Sequence, residues 1–176
     1  MGYPHATIEV PGDHPKIADE ISRVVIQTAG ADELLDGLRG GDCESGHVCA
    51  TAWVFNRDVS QVLLVNHDAI GWSNPGGHVE LNETTASAAA RELLEETGLT
   101  CKPAGNAPMI VHPGASNRPH SHVHWNVAWV FFAATDADLK CENNREVKWF
   151  DVNDLPRGAS DLAAITLAIR NQITSF

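Results

Sequence analysis

The chain has 176 residues, 43% hydrophobic and 20% charged, the proportions of one globular domain with a sizeable core. Its formal net charge of -11 argues against a polymeric nucleic acid partner, which is held by lysine and arginine on phosphates; a small phosphorylated substrate stays compatible, because metal ions can cancel its charge. No run reaches the length of a membrane span and the opening MGYPHATIEV lacks the basic-then-apolar order of a secretory signal, so cytoplasmic residence without a membrane partner is the expectation.

In chain order, residues 14–28 read as an amphipathic helix, with Pro15 in the first turn and Ile17, Ile21, Val24, Val25 and Thr28 on one side. Residues 32–38 suit a second helix, and Gly40, Gly41 and Gly46 mark a loop. Residues 1–44 are therefore expected to be an N-terminal helical extension packed on a main domain over residues 45–176; a dimer-forming arm, and with it a homodimer, is the alternative. HVCATAWVFN and QVLLVNH flank the turn RDVS as a hairpin. Cys43, Cys49, Cys101 and Cys141 are scattered without paired metal spacing and read as reduced structural thiols, Cys49 inside the first of these strands.

After NPGGHVELNE comes a helix whose apolar face is Ala86, Ala89, Ala90, Leu93, Leu94 and Thr97, with Asn82 as its cap and Gly98 as its left-handed stop. Strand-like CKPAG, the loop VHPGASNRPHSH, the long apolar run VHWNVAWVFFAA and the strand EVKWFDV follow, and DLAAITLAIRNQI closes the chain as an amphipathic helix. There is no internal repeat and no low-complexity segment. Strands interleaved with helices imply an α/β fold, a mixed β-sheet covered on both faces.

The stretch ARELLEETGL concentrates charge. At about 100° per residue, Glu92, Glu95 and Glu96 fall within roughly a third of the helix circumference, almost opposite its apolar stripe. They occupy the last turns, where the helix dipole disfavours negative charge; no lysine offsets them, and Arg91 precedes Glu95 in the less favourable order. A solvated acidic face is one reading. The other is a nest of carboxylate oxygens for a hard divalent cation, Mg²⁺ above all, and Pro75, Gly76 and Gly77 supply a tight turn where backbone can approach a metal or phosphate.

From Gly77 to Leu99 the chain resembles the signature of the Nudix hydrolases: glycine, five residues, glutamate, seven residues, Arg-Glu, an aliphatic residue, any residue, Glu-Glu, any residue, glycine, aliphatic. Gly77, Glu83, Arg91, Glu92, Leu93, Glu95, Glu96, Gly98 and Leu99 meet every position. Ordinary residue frequencies give the seven fixed identities on the order of once in a hundred million start positions, so the match is specific. The resemblance covers roughly residues 45–176 and implies an α/β/α sandwich.

It also implies Mg²⁺-dependent hydrolysis of a pyrophosphate bond, with Mn²⁺ as an alternative cofactor, in a nucleoside diphosphate linked to another moiety. Water attacking a diphosphate needs cations on the phosphate oxygens and a base. Glu92, Glu95 and Glu96 are the candidate metal ligands, and the resemblance adds the backbone carbonyl of Gly76. Arg91 would orient a neighbouring glutamate or make a surface ion pair. Glu83 would support the metals or serve as a favourable first-turn charge. The family often adds a glutamate from a later loop; Glu142 or Glu146 could serve, Glu146 equally as an exposed strand-start residue.

His120, His122 and His124 alternate on a strand and so point to one side. They suit phosphate or sugar contact in a substrate cleft, with His122 and His124 the leading candidates, or an incidental transition-metal site, or a wet strand end. Trp53, Trp129 and Trp149 read as core, while Trp72 or Trp125 could face a nucleobase. Pro113 followed by Gly114 is similar to a proline placed past the box in ADP-ribose pyrophosphatases, which puts ADP-ribose or a nucleotide sugar ahead of an oxidised nucleoside triphosphate. A nucleotide-sensing module without hydrolysis and an isomerase of the same fold are the other classes.

Overall fold

The computed structural model describes residues 14–40, 46–114, 123–141, 145–158 and 161–174. Helices α1 (His14–Ser22) and α2 (Ala29–Gly40) precede strands β1 (Gly46–Phe55), β2 (Gln61–His67), β3 (Gly71–Ser73) and β4 (Gly76–His78). Helix α3 (Thr85–Thr97), strands β5 (Ile110–Gly114), β6 (Val123–Phe132) and β7 (Val147–Asp151), and helix α4 (Leu162–Ile173) follow. The sheet runs β3-β2-β1-β6-β5, with β4 also on β1 and β7 on β2; β1 and β6 are parallel and the other pairs antiparallel.

Side-chain alternation divides the sheet into two faces. Val48, Ala50, Ala52 and Val54 of β1, with Val127, Trp129 and Phe131 of β6, pack beneath α1, α2 and α3. Trp53 and Phe55 of β1 and Ala128 and Val130 of β6 face the other way, against Leu162, Ile165 and Ile169 of α4. This is the α/β mixed sheet expected, with helices on both sides.

The first helix is shorter than its periodicity suggests. It stops at Ser22; Val25 and Ile26 instead donate backbone hydrogen bonds to Pro108 and Met109, and Ile26 bridges to Ile110. The β-branched run Val24-Val25-Ile26 gains more from this edge pairing than from another helical turn. The strand expected over CKPAG is not regular, and β5 runs into the start of the stretch read as a loop.

Helix α3 is capped by Thr84 and not by Asn82: Thr84 and Ser87 exchange side-chain and backbone hydrogen bonds as a capping box, and Asn82 sits at φ +67° ahead of it. Gly98 closes the helix in the left-handed region, as expected. The packed face is rotated by roughly a quarter turn from the predicted stripe. Thr85, Ala88, Ala89, Leu93, Glu96 and Thr97 are buried, whereas Leu94 is exposed. Small alanines let this helix lie close to the sheet and bring glutamates into the contact zone.

A second device fixes the same helix end. Glu20 of α1 is 7% exposed and accepts hydrogen bonds from Thr85 N (2.8 Å), Thr85 Oγ1 (2.7 Å) and Ala86 N (3.3 Å). Trp129 Nε1 donates to the same Thr85 hydroxyl at 2.9 Å. A carboxylate on unpaired N-terminal amides is favoured by the helix dipole. Glu20→Ala is expected to lower folding stability by about 2–3 kcal/mol, because buried donors lose a charged acceptor. Urea denaturation checks this, and an unchanged midpoint would refute the role.

Candidate active site

The turn between β3 and β4 brings backbone against the acidic face of α3. Gly76 N donates to Glu96 Oε2 at 3.1 Å. A Cβ on Gly77 would stand 2.2 Å from Glu92 Oε1, and one on Gly76 would stand 2.8 Å from both Ala50 O and Thr51 Cγ2. Both positions therefore exclude side chains, the first to admit a carboxylate and the second to admit the neighbouring strand.

Arg91 ties the glutamates together. Its Nε donates to Glu83 Oε1 at 2.9 Å, its Nη1 to Glu92 at 2.8 Å and Glu95 at 3.3 Å, and its Nη2 to Glu83 Oε2 and the His78 carbonyl, each at 3.0 Å. These bonds hold the Glu83 carboxyl below its ordinary range and raise the guanidinium above its own. Of the two readings of Arg91, the geometry matches orientation of its neighbours. Glu95 stands at the more open edge of the cluster.

Burial works in the opposite sense on the inner pair. Desolvation raises the Glu92 carboxyl despite Arg91, and pushes Glu96 up to about 7 despite the Gly76 amide and Arg145. Carboxylates held by their fold in so unfavourable an ionic state, oxygen-only and touching a side-chain-free turn, fit a hard divalent cation. Glu92 and Glu96 are thus largely withdrawn from solvent against the sheet, while Glu95 stays at the open edge.

The same shift dictates a pH dependence. The unfolded chain loses the Glu96 proton at the ordinary value of 4.5, whereas the folded protein keeps it until about 7. Between these values the folded state binds more protons, so stability falls as pH rises. In chelator, the melting temperature of the wild type is expected to fall relative to Glu96→Gln across this window. Parallel pH profiles of the two proteins would refute the burial argument.

Arg145 completes the inner cluster: Nη1 lies 2.8 Å from Glu96 Oε1 and 3.2 Å from His67 Nδ1. Burial and this guanidinium lower the His67 pKa, and because a guanidinium can only donate, Nδ1 is the acceptor in their contact. Neither residue is signalled locally in the sequence. They meet because β7 pairs β2 with Val65 opposite Val147, and Asn66 N donates to Glu146 O, which sets Arg145 beside the end of β2. Glu146 is not brought into this cluster: its carboxylate pairs with Lys148 on the surface, the exposed strand-start alternative.

Beside the carboxylates lies a cleft of about 570 Å³ on the α4 side of the sheet. Cys49, Thr51, His67, Gly76, Gly77, His78, His112 and His124 are among the residues of its wall. Thr51 Oγ1, Trp53 Nε1, His67 Nε2 and His112 Nε2, all on residues of this wall, are buried without a protein hydrogen-bond partner. Buried polar atoms normally find one, so a polar ligand is the fitting occupant. His112 Nδ1 pairs with Asp161 Oδ2 at 3.1 Å and holds that carboxyl below its ordinary range.

His124 is among the residues of the cleft wall; His120, His122 and Glu142 lie outside the described residues. Trp125 belongs to the core under α1–α3, because odd-numbered residues of β6 face that side, and so does not face a nucleobase. Trp72 is not among the lining residues: its ring packs edge-on against Phe150 at 4.7 Å, with Lys148 Nζ 5.8 Å from its centroid. Trp53 and Trp129 are core as expected.

A mixed sheet lies between helices, with the Gly76–Gly77 backbone of β4 set against the acidic face of one of them. The NUDIX domain profile matches residues 46–168, and the chain belongs to that family. It is similar to an ADP-ribose pyrophosphatase of Methanocaldococcus jannaschii, 36% identical over 89 residues, covering 49% of this chain and 50% of the relative. It also resembles the phosphatase NudJ of Escherichia coli K12, 56% identical over 32 residues, 18% of this chain and 21% of the other. The chain thus spans about half the length of the first of these relatives and about a fifth of the second. Among solved structures, a NUDIX-family hydrolase from Clostridium perfringens shares the fold at a TM-score of 0.60 and 17% identity, covering 72% of this chain and 97% of that one. No helix among the described residues is long and apolar enough to cross a membrane.

Proposed function

We propose that this chain hydrolyses the pyrophosphate linkage of a nucleoside diphosphate joined to another moiety, of the ADP-ribose or nucleotide-sugar class, with Mg²⁺ held by Glu92, Glu95, Glu96 and the Gly76 carbonyl. The observation that carries this reading is the contact of two desolvated carboxylates, Glu92 and Glu96, with Gly76 and Gly77 of β4, which also line the cleft. When bound, the cation neutralises phosphate oxygens and polarises the attacking water. Arg91 keeps Glu83, Glu92 and Glu95 in one arrangement, and Arg145 does the same for Glu96. His112 and Thr51 in the wall would contact the sugar or phosphates.

The name of the archaeal relative supports the ADP-ribose class over an oxidised nucleoside triphosphate. All the carboxylates of the signature are present, which supports turnover over nucleotide sensing. Residues 14–40 would buttress this domain, since Ile17, Ile21, Ala31 and Leu34 join its core and Glu20 fixes α3. The test is a panel of nucleotide sugars, dinucleotides and modified triphosphates incubated with Mg²⁺ or with chelator, with products identified by mass. Mg²⁺-dependent release of a nucleoside monophosphate and a sugar phosphate is expected. Binding of ADP-ribose without cleavage would instead favour the sensor.

A further inference from the structure

The cleft wall contains a second cluster of chemically different character. Alternation along β1 puts His47 and Cys49 on the cleft face, with Thr51 and Trp53 after them. The sheet register then sets His78 of β4 beside Cys49 and His124 of β6 beside His47. Directly paired residues on one face stand about 5 Å apart at Cβ, so three adjacent strands converge their side chains here. One sulfur of Cys49 and one ring nitrogen each of His78 and His124 lie within 4.8 Å of one another. The His47 ring is 5.2 Å from that of His78 and 5.9 Å from that of His124, and His78 and His124 are 5.3 Å apart, all edge-on and not stacked.

We propose that Cys49, His78 and His124, with the His47 ring adjoining them, form a three-donor site for a zinc-class transition-metal ion, chemically distinct from the neighbouring carboxylate cluster on α3. Sulfur and imidazole donors are wrong for Mg²⁺ and right for Zn²⁺. Ligand atoms of a tetrahedral zinc site are about 3.4–3.7 Å apart, given metal–ligand bonds near 2.0–2.3 Å. Closing from 4.8 Å needs only rotamer adjustment, which the exposed His78 and half-buried His124 can supply. On binding, the Cys49 S–H bond breaks, its proton passes to water, and a sulfur–metal bond forms. The ion would stand in the cleft wall and pin β1, β4 and β6 together next to Gly77.

This assignment does not depend on the carboxylate reading, and the two fail separately. Metal-stripped full-length protein is titrated with Co²⁺ alone, in excess Mg²⁺ and a non-thiol reductant, and followed by visible and near-ultraviolet absorption. One equivalent giving intense tetrahedral bands and a thiolate-to-cobalt charge-transfer band is expected, displaced by Zn²⁺ and retained in a Glu92→Gln/Glu96→Gln variant. Cys49→Ser should lose the charge-transfer band. His78→Ala, at an exposed position, should weaken Co²⁺ binding by about tenfold or more. Octahedral spectra, a charge-transfer band surviving in Cys49→Ser, or loss of binding in the glutamine variant would each overturn the site.

Discussion

Glu96→Gln is expected to reduce turnover in Mg²⁺ by about a thousandfold or more while leaving the protein folded. The residue is 9% exposed, its Oε2 accepts from the Gly76 amide and its Oε1 from Arg145. Glutamine keeps that shape, and its carbonyl oxygen can preserve one of the two bonds. What it cannot keep is the negative charge, and several kcal/mol of transition-state stabilisation go with it, each 1.4 kcal/mol being about tenfold. The same variant should unfold no more easily than the wild type at neutral pH in chelator, because burial already disfavours the ionised acid. Steady-state kinetics and thermal melts on one preparation test both halves. Near-normal turnover would remove Glu96 from the metal set, and a collapsed melting temperature would mean that its role is structural.

The second large effect is expected at Gly77. Alanine there would place a methyl group 2.2 Å from Glu92 Oε1 and 2.6 Å from its carboxyl carbon. Those atoms end a flexible side chain, so the carboxylate is expected to swing away and break its 2.8 Å bond to Arg91. Misplacing a reacting-site group by about an ångström lowers activity roughly a hundredfold. Stability should change little. Gly76→Ala provides the contrast, since its Cβ meets the Ala50 carbonyl, which is backbone and cannot move aside; this variant should lose stability first. Comparing kcat/KM and melting temperature for the two separates the cases. A fully active Gly77→Ala enzyme would show that the position of Glu92 does not matter.

The carboxylate box was readable because its information is local. Gly77, Arg91, Glu92 and Glu96 recur at fixed spacings on one loop and one helix, and their residue types state the chemistry. The hairpin of β1 and β2 was equally plain, since alternation and the Arg57–Ser60 turn lie within one short stretch. Helix phase was harder. Leu94 is a better hydrophobe than Ala88, yet Leu94 faces solvent, because close approach to the sheet selects for size rather than apolarity. Arg145 and His67 were invisible for a different reason: nothing near either residue points to Glu96, and only the pairing of β2 with β7 brings them there. Cys49 was read as a reduced structural thiol in a strand; its imidazole neighbours come from β4 and β6, and register is a property of the folded sheet.

The parallel pairing of β1 with β6 runs ten rungs, from Gly46 opposite Val123 to Phe55 opposite Phe132. The acidic helix and the Gly76–Gly77 strand it meets are both strung on the chain between those two strands. A nascent polypeptide therefore cannot zip its central ladder until Val123–Phe132 has left the ribosome. Until then the first long strand offers an open hydrogen-bonding edge, and ring closure over so much intervening chain makes this a slow step. Chaperone dependence during synthesis, more than fragility once folded, is the vulnerability this connectivity confers.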